Sequence, residues 1–112
     1  MKSIQLLSSI LFFSLFTFSV FAQNDHLDKA INHAEEAFKA NDGKGIALHA
    51  QKAQPHALAA LKQGNYSEES LHNLQAGITA LDNAVEKGNL DATDSARQGA
   101  SDAVRFFKEA RK

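Results

Sequence analysis

From Asp25 onward, apolar residues recur at intervals of three and four and no stretch alternates convincingly with period two, so the pattern predicts helices and no strands. A first helix over about His26 to Ala40 would bury Leu27, Ala30, Ile31, Ala34, Ala37 and Phe38, with Asn24 or Asp25 as its cap. Asn41-Asp42-Gly43 ends it. A second helix, about Lys44 to Lys62, turns Ile46, Ala50, Ala53, Ala57 and Leu61 inward. Pro55 interrupts that helix, because its ring presses on the carbonyl of Gln51 and its nitrogen cannot donate; a bent but continuous helix is expected. Gly64-Asn65-Tyr66-Ser67 and Gly88-Asn89-Leu90-Asp91 read as matching junctions, each with a glycine for a left-handed stop, an apolar residue and an N-cap. The third helix, about Glu68 to Lys87, carries Leu71, Leu74, Ile78, Leu81 and Val85 as a bundle seam. The fourth, about Ala92 to Ala110, presents Ala96, Gly99 and Ala103 in the middle of its face and Phe106 and Phe107 at the end.

Ile31 to Lys39 resembles Ile78 to Glu86 at an offset of 47 residues, which makes the chain a degenerate repeat of two helical hairpins. One hairpin cannot bury its own apolar face. Two packed together predict an all-α fold, an antiparallel up-down four-helix bundle over residues 23–112. Residues 1–22 have a different pattern: Lys2, an apolar run from Ile4 to Phe21, and a small-residue ending at Ala22. They are expected to be a secretory signal peptide cleaved after Ala22, leaving no stable membrane association.

Setting those residues aside changes the composition. Residues 23–112 contain no Met and no Cys, and their 18 Ala outnumber their 17 Leu, Ile, Val, Phe and Tyr combined. Alanine favours helix but buries little surface, so the bundle should be marginal unless a ligand clamps it. An exported chain without cysteine draws no stability from disulfides, and without sulfur it lacks the soft ligands that Cu(I) prefers. With 11 Lys plus Arg against 13 Asp plus Glu and no basic stripe interleaved with aromatics, nucleic acid is not expected as a partner. No nucleophile with a base and no glycine-rich phosphate loop emerges, so an enzyme is not expected.

The candidate chemistry lies in the histidines. His26 with His33, and His49 with His56, repeat one seven-residue spacing on the first two helices, and two turns of helix put each pair on one stripe. Each stripe lags the centre of its apolar face by roughly a quarter turn. Both therefore point into the shared seam or both away from it. Folding the hairpin about Gly43 sets His33 between His49 and His56, with Glu36 placed to add an oxygen ligand. Partners along one helix are about 10 Å apart, too far to share an ion, whereas the axial offsets across the hairpin are only about 4–6 Å. Imidazole is the commonest protein ligand for borderline transition metals, so the two stripes point to metal binding across the helix pair. His72 stands apart, one turn beyond Glu68 and Glu69. Its Glu-x-x-His half-motif occurs once, where a di-iron bundle needs two, and a chain with no Met after residue 22 cannot supply His-Met haem ligation.

The run HLDKAINHAEEA from His26 to Ala37 resembles the opening of the small metal-binding protein family (SmbP-like), and the similarity continues through Leu48-His49-Ala50-Gln51, Gly77-Ile78 to Gly88, and Ala92-Thr93. The resemblance implies a periplasmic, histidine-rich four-helix bundle that buffers or sequesters divalent metals, notably Cu(II). It carries a ligand role onto His26, His33, His49, His56 and His72. The second hairpin departs from the pattern, holding His72 alone, with Ala80, Lys87 and Ser95 where imidazoles are expected. A monomer with metal ions as its partners is expected, and the competing reading is a metal-independent helical interaction module of the cell envelope.

Overall fold

A computed structural model describes residues 25–112; the expected signal peptide, the new N-terminus at Gln23 and the cap at Asn24 lie outside the described residues. Four helices make up the fold within them: α1 (25–39), α2 (Gly43–Gln63), α3 (Glu68–Asn89) and α4 (Thr93–Arg111). Sequence neighbours pack as antiparallel pairs, α2 on α3 and α3 on α4. The ring closes through α1, which meets α2 along the histidines and α4 through Asp28–Arg111 (2.9 Å) and Glu35–Lys108 (3.7 Å). This is the expected up-down four-helix bundle, and among the described residues no helix is long and apolar enough to cross a membrane.

The interior is made largely of small side chains. Among the described residues, thirteen of the nineteen buried apolar residues are Ala, and the largest fully buried side chains are Phe107, Ile46, Leu74 and Leu81. Small residues let the helix backbones approach, and glycine lets them approach further. The Phe107 ring lies where a side chain on Gly77 would stand, and a Cβ on Gly99 would come within 3.0 Å of the Ala84 nitrogen. The predicted face of α4, small in the middle and aromatic at its end, therefore fits against α3. Phe106 is only partly buried, with the Arg105 guanidinium 4.6 Å from the centre of its ring.

Side chains cap two of the helices, Ser67 as expected and Asp42 at a position read only as the end of the first helix. Asp42 accepts from the Gly45 amide at 2.8 Å to cap α2, and the Ser67 hydroxyl accepts from Ser70 N–H at 3.1 Å to cap α3. Pro55 sits on an exposed position of an unbroken α2. Gly64, with φ +44°, supplies the expected positive-φ exit, and Asn65 comes next at φ 104°.

Three expectations fail. Gly88 is not the stop of α3, and Asp91 is not the N-cap of α4. The helix runs on to Asn89 and closes with Asp91 N–H donating to the Gly88 carbonyl (3.0 Å) and Ala92 N–H to that of Lys87 (2.9 Å). That is a Schellman closure with Asp91, at φ 59°, as its left-handed residue. Gly88 is instead a point of close approach: a Cβ there would run into the Gly43 carbonyl oxygen and lie 2.9 Å from Ala47 Cβ. Phe38, expected in the core, is 44% exposed. It stands at the α1 terminus, where its carbonyl and that of Ala40 accept from the Arg97 guanidinium at 2.7 and 2.8 Å. Arg97 thereby satisfies last-turn carbonyls that have no partner within the helix.

Replacing Gly88 by Ala should destabilise the bundle. Overpacking against backbone costs about 1–3 kcal/mol, offset by at most about 1 kcal/mol of better helix propensity. Thermal unfolding monitored by circular dichroism should show a lower melting temperature; an unchanged one would mean that α2 and α3 are not in backbone contact there.

Candidate metal centre

The helical period alone places His26 and His33 on one stripe of α1 and His49 and His56 on one stripe of α2. Packing decides where those stripes point, and both turn into the α1–α2 seam. His26 Nδ1 and His56 Nδ1 stand 3.2 Å apart, with ring centroids 5.5 Å apart and planes tilted by 31°. The His33 ring stacks on that of His56, centroids 5.7 Å apart and planes within 12° of parallel. Glu36 then joins the next pair, one carboxylate oxygen 3.4 Å from His33 Nδ1 and the other 3.7 Å from His49 Nδ1. The expected position of His33 between His49 and His56 is thus what the bundle shows, with His56 the ring that touches two others.

Burial keeps these rings at the boundary between core and water. The side chains of His33 and His49 are 28% and 27% exposed, yet the Nδ1 atom of each is buried and makes no hydrogen bond. A buried imidazole nitrogen without a partner forfeits its hydration, and either a proton shared with Glu36 or a metal ion would satisfy it. Between His26 and His56, one ring must donate and the other accept unless an ion replaces the proton. Among the described residues, no three His, Cys, Asp or Glu side chains already surround a common point fit for a metal ion. The donors come as pairs that reach across the hairpin.

His56 sits in a field that favours its neutral form. Partial burial, then His26, His33 and Lys29, pushes its pKa below the ordinary 6.5, while Asp25 opposes the shift. Sequence reasoning passed over Asp25 and Lys29 here; they form an i,i+4 ion pair at 2.9 Å on the α1 turn that carries His26. A neutral imidazole is the form that ligates metal. His72 is not brought to this cluster. It is exposed on α3, and no ion pair links it to Glu68 or Glu69 among the described residues. A groove of about 510 Å³ on the other flank of α1, along α4, has Phe38 and Val104 in its lining and no histidine.

A helical bundle whose clustered side chains are imidazoles, meeting along one interhelical seam, has the chemistry of proteins that take up borderline metal ions. Residues 1–110 match the family model described as Small metal-binding protein, and the chain belongs to that family. Metal binding is accordingly its general function. No curated protein matches the chain.

The depressed His56 pKa predicts acid sensitivity without metal. The unfolded chain takes up this proton more readily than the fold does, so the stability that neutral His56 contributes is complete above pH 6.5 and is lost as pH falls through its native pKa. Denaturant midpoints should fall between pH 7.5 and pH 5, and His56→Gln should make that fall smaller; equal slopes for the two proteins would place the acid sensitivity elsewhere.

Proposed function

We propose that the protein is a non-catalytic periplasmic buffer for divalent transition metals, Cu(II) foremost and Ni(II) or Zn(II) as alternatives, and that its ions sit in the α1–α2 seam on His26, His33, His49 and His56. The observation that carries this reading is the convergence of all four rings on one seam, where His26 and His56 hold their Nδ1 atoms 3.2 Å apart. Metal–imidazole bonds of about 2.0–2.1 Å put neighbouring ligand nitrogens roughly 2.9–3.4 Å apart, from square to tetrahedral geometry. The pair already has that spacing. The Nδ1 atoms of His33 and His49, buried and without a hydrogen bond, fit the same use, as groups an ion would satisfy.

The donor set supports reversible rather than permanent binding. Nitrogen and oxygen ligands without thiolate suit Cu(II), Ni(II) and Zn(II) over Cu(I). Part of every histidine in the seam is exposed, which leaves a short path to solvent. Protons compete for the same nitrogens, so affinity falls with pH through the histidine range and an acidified compartment would release the ion. Export rests on the signal-like residues 1–22.

Calorimetric titration of the bundle with Cu(II) should show binding that is lost when His33, His49 and His56 are all replaced by Ala and kept when His72 alone is replaced. Saturation at about 100 times the dissociation constant should add roughly 2.7 kcal/mol to stability. A melting temperature unmoved by metal would favour the competing reading, an envelope interaction module that keeps the bundle and has lost its sites.

A further inference from the structure

The seam holds four imidazoles, but they do not point at one place. An imidazole binds metal through a lone pair in the plane of its ring. The rings of His33 and His56 lie within 12° of parallel with centroids 5.7 Å apart, an offset arrangement, and their Nδ1 atoms face different partners. His56 directs Nδ1 at Nδ1 of His26. His33 directs its Nδ1 toward one oxygen of Glu36, whose other oxygen faces Nδ1 of His49. Along α1, the seven residues from His26 to His33 amount to about 10 Å of helix, more than twice the reach of one ion and two of its ligands.

We propose that the seam binds two ions at separate stations, one between His26 and His56, the other between His33 and His49 with the Glu36 carboxylate as third ligand. The proposal rests on the seam being a metal site at all. The stations differ in chemistry. The first offers two neutral nitrogens and keeps its remaining positions for water; Asp25 is near enough to act on His56 through its charge but is held by Lys29 at 2.9 Å. The second adds an anionic oxygen, and its two nitrogens are the buried atoms left without hydrogen bonds. The Glu36 side chain is half exposed, and its oxygens, 3.4 and 3.7 Å from those nitrogens, are close to the separation of adjacent ligands on one ion. Small side-chain movements would complete the station. Both stations bridge α1 to α2, and the His33–His56 stack is the partition between them.

The test is titration of the chain with Cu(II), counting ions by calorimetry and recording electron paramagnetic resonance spectra. The unsubstituted protein should take two ions with two distinct spectra, and at full occupancy dipolar coupling between ions about 10 Å apart should broaden both. Glu36→Gln and His49→Ala should each remove the same one ion and the broadening, leaving the His26–His56 spectrum intact. His26→Ala should remove the other ion and leave the spectrum that depends on Glu36. Circular dichroism should show every variant with its helix content retained, and a variant that loses helix is replaced by His49→Gln or His26→Gln. A single ion in the unsubstituted chain would overturn the two stations while leaving metal binding in place, as would a lone His26 or His49 substitution that removes all binding. Glu36→Gln with two ions and unchanged spectra would remove Glu36 from the second station. Absence of binding in the unsubstituted chain would refute the seam as a metal site altogether.

Discussion

Close approach of helices through small side chains is the constraint on which this bundle depends. Alanine supplies most of its buried apolar positions, and each contributes little hydrophobic surface, so cohesion comes from bringing backbones near one another. Glycine extends the same principle at Gly88 against Gly43, at Gly99 against Ala84 and at Gly77 under the Phe107 ring. The approach has a consequence at the edges of the interface. Side chains flanking a seam of alanines meet across it, and between α1 and α2 those side chains are histidines.

A thin core and a metal seam are complementary. An ion held between α1 and α2, as proposed, would tie together two elements that the apolar interior binds only modestly, because a ligand bound by the native state alone couples occupancy to folding. The α1–α4 side is built differently, from exposed ion pairs and the Arg97 guanidinium at the α1 terminus. Exposed pairs of this kind contribute little each, typically about 0–1 kcal/mol. The bundle thus gathers four of its five histidines in the first hairpin, while the second contributes the large buried side chains Leu74, Leu81 and Phe107.

Most of the fold was legible because the signals that write it are local. Helical periodicity located all four helices to within a residue or two, and Ser67 caps the third where its sequence signal placed it. The misread junction at Gly88 has an instructive cause. Glycine is favoured both where a helix must stop with positive φ and where two backbones must touch, and sequence does not separate the two uses. Here contact with Gly43 claimed Gly88, and Asp91, one of the few other residues that tolerate φ near 59°, took over the stop. Phe38 was misplaced for a related reason. Periodicity assigns a face, but at the end of a helix no neighbour need remain to cover it.

For the metal site, the boundary between sequence and structure is equally physical. The seven-residue spacing guaranteed that His26 shares a stripe with His33, and His49 with His56, because α-helix geometry is the same wherever the helix lies. The length of the α1–α2 connection was enough to set the two stripes at matching heights. What remained open was the rotation of each helix about its own axis. Packing against α3 and α4 sets that rotation, through side chains far along the chain from any histidine. Only the assembled bundle therefore turned both stripes inward, set His56 against His26 and His33, and placed the two oxygens of Glu36 toward His33 and His49.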